Sequence, residues 1–128
     1  MGKFVWIGLA IWAAATGLLR LAGGHWLSGE DPARLSVLFA ATAVAIALPV
    51  AGLARGLPTR EGALRAVVVV VLPGILLDAE SVLWFRRVFP NLPESAGRPF
   101  ASLLLWAYGV ALLTGLLASR ARRYPGPA

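Results

Sequence analysis

Ala66-Val-Val-Val-Val-Val-Leu-Pro-Gly-Ile-Leu-Leu-Asp78-Ala-Glu-Ser-Val-Leu-Trp-Phe85 is twenty residues long and apolar except at Asp78, Glu80 and Ser81. As a helix such a run rises about 30 Å, the thickness of a bilayer's hydrocarbon core. It also holds two acids, and a charged residue at the centre of a membrane helix costs roughly 2.5–3.5 kcal/mol to insert. An ionisable group in that position is hydrated, paired or protonated. Asp78 and Glu80 are therefore both the test of a membrane reading and the strongest functional signal in the chain.

Three more apolar segments surround this one, at residues 4–22, 35–54 and 100–118, each bounded by charge, proline or glycine. Backbone groups cannot stay unpaired in lipid, so each span must be helical. The expected fold is all-α: a transmembrane four-helix bundle in up-down-up-down order, one domain over residues 1–128. Composition agrees. The chain is 59% hydrophobic with a mean hydropathy of +0.76, against about 45–50% apolar residues in soluble domains. The first segment is too long for a signal-peptide core and is followed by further spans, so it reads as a retained helix. Gly2 is followed by Trp6 where a myristoylation motif needs Ser or Thr.

Composition also excludes chemistry. There is no cysteine, so disulfides and thiolate sites are ruled out, and the single His25 cannot build a multi-histidine metal or haem site. No metal or cofactor is expected. The net charge of +6 comes from arginines that flank apolar segments instead of lining a soluble face, so nucleic acid is not expected as a partner. No Ser–His pair, paired carboxylates or Gly-rich phosphate loop is present, and an enzyme is not expected. His25 beside Trp26 reads as an interfacial loop residue.

Loop charge sets an orientation. Lys3, Arg55, Arg60, Arg65, Arg120, Arg122 and Arg123 fall on one side; Arg20, Arg34, Arg86, Arg87 and Arg98 fall on the other. The excess predicts both termini in the cytoplasm. Glu30, Asp31 and Glu94 sort to the outer side, and Glu61 to the inner. Trp26 and Phe89 are expected at the outer headgroup level, with Trp6 and Tyr124 at the inner one.

Small residues mark helix contacts in lipid. The fourth segment has Ala107, Ala111, Gly115 and Ser119 at intervals of four, the second has Ala43, Ala47 and Ala51, and the first has Ala13 and Gly17. These stripes suit contacts within the bundle, the alternative being contacts between copies. Pro73-Gly74 predicts a kink in the third helix, because proline removes one helical hydrogen bond and crowds the carbonyl of Val69.

Counting each span from its cytoplasmic end places Asp78 a little past halfway, with Thr16, Thr42 and Tyr108 at nearly the same depth. One hydrogen-bonding group per helix could thus form a polar layer and hold a small ligand or ion. Threonine can equally bond back to its own helix, and tyrosine can point its hydroxyl outward. Asp78 and Glu80 sit roughly 200° apart around the helix, so they are not a catalytic pair. Glu80 aligns with Trp84 and Arg87 and suits an ion pair with Arg87. Arg20 is the candidate ion-pair partner of Asp78, the alternative being a guanidinium that snorkels to the outer headgroups.

Pro73-Gly-Ile-Leu-Leu-Asp78-Ala, Val88-Phe-Pro-Asn-Leu92 and Leu105-Trp-Ala-Tyr-Gly109 together resemble a family of small bacterial four-helix integral membrane proteins of unknown function. The resemblance covers most of the chain. It implies four spans, a bacterial origin, and a place for Asp78 and the Phe89-Pro90-Asn91 turn in the family's pattern. It supplies no activity. The function expected from the residues is a transport-like module that handles a small solute, ion or proton at Asp78. The alternative is a structural or accessory subunit of a larger membrane complex. The expected partners are the lipid bilayer and either a second copy, as a homodimer, or a partner membrane subunit.

Overall fold

The computed structural model describes residues 2–23, 27 and 31–121. His25, Trp26, Glu30, Arg122, Arg123 and Tyr124 lie outside the described residues. Among the described residues five α-helices are present: α1 (Gly2–Ala22), α2 (Pro32–Gly56), α3 (Arg60–Leu83), the single turn α4 (Phe85–Val88) and α5 (Gly97–Ala121), the last preceded by a 3-10 turn at Glu94–Ala96. No strand occurs among the described residues. The four long helices are each apolar and long enough to cross a membrane, and together they form an all-α four-helix bundle.

The helices begin earlier than their apolar runs because caps, not hydropathy, set their ends. Asp31 caps α2 by accepting from the Ala33 N–H at 3.0 Å, with Pro32 in the first turn. Thr59 caps α3 by accepting from the Gly62 N–H at 3.0 Å, and Glu61 complements the helix dipole. The third helix thus starts six residues before its hydrocarbon stretch and ends at Leu83, where Trp84 leaves helical geometry (φ −103°, ψ 32°). Pro73 lies inside α3, which stays helical through it, and Pro49 lies inside α2 in the same way.

Helix α3 is the central element. It packs against α1, α2 and α5, and α2 also packs along α5. The small-residue stripe of α5 is used inside the bundle: Ala111, Gly115 and Ser119 are buried. A Cβ on Gly115 would come within 2.9 Å of Val67 Cγ1, so glycine there sets the closeness of α3 and α5. The stripe expected on α1 is not used within the bundle. Ala13 is exposed and the space around Gly17 is open. Helix α1 meets α3 through Gly8 and Trp12, one turn apart on a different face, and Phe4, one turn earlier, is also buried. At Gly8 the two backbones touch: any Cβ would overlap the Val70 carbonyl.

The largest core sits around α4. Leu27, Phe85, Phe89, Leu92, Ala96, Phe100 and Leu103 form one buried cluster. The rings of Phe89 and Phe100 stand 4.9 Å apart at 63°, and Phe85 completes the trio at 5.3 Å from Phe100. The Phe89 side chain is fully buried, because the α4 turn folds the chain back and points the ring inward.

Candidate functional site

Asp78 is 7% exposed, one of three buried polar side chains with Ser81 and Ser119 among the described residues. Three elements build its surroundings. The Trp12 indole N–H on α1 donates to Asp78 Oδ1 at 2.8 Å. The Tyr108 hydroxyl on α5 donates to Asp78 Oδ2. Each carboxylate oxygen therefore takes one neutral donor from a different helix, and further lone pairs remain on both.

Two glycines make this geometry possible. Gly8 brings the α1 backbone onto α3 at Val70, and Trp12 follows one turn later at the height of Asp78. Gly74 lies one turn before Asp78, and a Cβ there would stand 2.9 Å from the Tyr108 hydroxyl oxygen. The glycine leaves the space that the hydroxyl occupies. Ser81 serves the helix itself, donating to the Leu77 carbonyl at 3.0 Å.

The polar layer read from the sequence is thus partly assembled. Asp78 and Tyr108 meet. Thr16 and Thr42 are half-buried, and neither makes a side-chain hydrogen bond among the described residues. Trp12, one turn before Thr16, takes the place expected for a threonine. Its signal was present as an indole N–H in the middle of an apolar span, where a buried donor needs an acceptor. Depth counting over hydroxyls and acids alone passed over it.

The expected ion pairs differ as well. Arg20 is exposed in the last turn of α1 and forms no ion pair with Asp78. Facing different sides, the two acids separate as the helical period requires: Asp78 is buried and Glu80 exposed. Arg87 does not bridge to Glu80; its guanidinium stacks over the Trp84 ring, 4.9 Å from the centroid. Trp84 takes the cation because α3 ends there and turns its ring toward the α4 arginines. The neighbouring Arg86 lies 3.9 Å from Glu94, with both side chains at least 80% exposed, a pair that contributes little. No cluster of three metal-ligating side chains occurs among the described residues.

Four apolar spans, three of them tied at a buried carboxylate by an indole and a phenol, define a class, that of small multi-pass α-helical membrane proteins. The chain belongs to the DUF5367 family, a family of unknown function whose profile matches residues 27–122. That stretch contains Asp78 and Tyr108 and begins after α1, which carries Trp12. No curated protein and no solved structure matches the chain.

Proposed function

We propose that this protein is a transport-like membrane module that takes up and releases a proton or a small monovalent cation at Asp78. One observation carries the reading. Asp78 is buried and held by two neutral donors, with no arginine or lysine paired to it among the described residues. An ionised carboxylate in a low-dielectric setting needs a compensating positive charge, and neutral donors supply only part of it. A proton or a cation supplies the rest. Four helices are few for a complete pathway, so the working unit is a homodimer. It sits in a bacterial inner membrane with both termini cytoplasmic, the orientation that the arginine excess favours.

Reconstitution in vesicles tests the reading. An imposed pH gradient, or a sodium or potassium gradient, drives flux in the native protein. The same protein with Asp78→Asn falls to the level of empty vesicles. Unchanged flux in the variant removes Asp78 from the mechanism.

A second reading is supported by the same hydrogen bonds. Trp12 and Tyr108 tie α1 and α5 to α3, which suits a structural staple in an accessory subunit of a larger complex. Purification in mild detergent separates the two. A homogeneous oligomer of this chain alone counts against an obligate partner.

A further inference from the structure

The opposite end of α3 has a feature that the Asp78 site does not use. Arg60, Glu61, Leu64, Arg65, Val68 and Val69 line an open depression of about 790 Å³ along one face of the helix. Neither arginine makes an ion pair among the described residues. Although α3 is the central helix, this face continues exposed beyond the depression through Leu72 and Leu76. The face is polar and cationic at the helix start and apolar further along, over the same two rows of residues.

We propose that this face seats one anionic phospholipid, its phosphate between Arg60 and Arg65 and one acyl chain along Leu64, Val68 and Leu72. Charge complementarity selects the occupant. Two unpaired guanidiniums and the positive end of α3 lie together at one end, and guanidinium forks match phosphate oxygens. The apolar continuation selects a lipid over free phosphate, because Arg65 to Leu76 rises about 16 Å, close to the length of a membrane acyl chain. A second copy of the chain fits less well, since it would bring the same two arginines against their own kind. Glu61 lies within the depression and opposes an anion, so it lowers the preference without removing it.

Native mass spectrometry of the detergent-solubilised full chain tests this with an equimolar mixture of phosphatidylglycerol and phosphatidylcholine. The expected result is retention of one phosphatidylglycerol in preference to phosphatidylcholine, with each arginine contributing on the order of fivefold. Arg60→Gln with Arg65→Gln brings the two lipids to parity. Glu61→Gln raises the preference for phosphatidylglycerol, which a purely structural role for these side chains would not do. Glycerol phosphate in excess leaves the bound lipid in place. Circular dichroism checks that the variants stay helical; these side chains are exposed, so unfolding is not expected. Equal retention of both lipids by the native chain overturns the proposal. So does an unchanged preference in the double arginine variant, displacement by glycerol phosphate, or a dimer that forms with loss of the lipid.

Discussion

Two buried regions lie within a few turns of each other and are held together in different ways. The cluster around α4 is made of Phe85, Phe89, Phe100, three leucines and Ala96, packed by apolar contact. The Asp78 site joins three helices through two hydrogen bonds to one carboxylate. The first depends on volume and shape, so any change of comparable size and apolarity is tolerated. The second depends on the identity of three groups, and its glycines matter as much as its polar atoms. One region closes an end of the bundle, and the other places chemistry within it.

Substitutions can break this contrast, and the largest expected effect is in the aromatic cluster. Phe89→Ala removes a fully buried ring and should cost about 3–5 kcal/mol, read as a fall in thermal midpoint in detergent, while Phe89→Leu costs much less. Asp78→Ala comes next. It leaves the Trp12 N–H and the Tyr108 hydroxyl without their acceptor and should cost about 1–3 kcal/mol. Asp78→Asn keeps an acceptor and should cost less, so activity and stability part company at this position. A stability loss for Asn equal to that for Ala would erase the distinction drawn between the regions.

Smaller effects sharpen it. Trp12→Phe keeps most of the ring and loses one hydrogen bond, for about 0.5–1.5 kcal/mol. A double-mutant cycle of Trp12→Phe with Tyr108→Phe should show coupling, because both donate to one carboxylate. Additive losses would mean that the two donors act independently. At the exposed end, Arg86→Gln should leave the melting temperature unchanged, since its partner Glu94 is as exposed as itself.

The fold was legible because the hydropathy signal and the length constraint point the same way. Residues 66–85 are long enough, apolar enough and bounded by arginine, and no other reading accommodates them. Helix ends were less legible, because Asp31 and Thr59 act as caps through backbone hydrogen bonds that hydropathy does not register. Within the site, depth matching brought Asp78 and Tyr108 to one height, and helical period separated Asp78 from Glu80. The azimuth of each helix was not legible. It depends on which small residue meets which backbone, and nothing in the spacing distinguishes Gly8 from Gly17 as the contact of α1. That ambiguity is why Thr16 was expected where Trp12 stands, and why Arg20 was expected to reach an acid it does not face. The burial of Phe89 was not legible for a related reason: a one-turn helix after Trp84 redirects the chain, and four residues are too few to show a period.

The missing side chain at position 74 offers an unusually clean handle. Alanine there would nudge aside only the far tip of a tyrosine, which can swing, and would meet no rigid main chain. The protein should still assemble while one of the two tethers on its acid is cut. Mutational surveys confined to charged or hydroxylated positions would never visit this residue, yet it switches a polar contact off from a place that has no polar atom to lose.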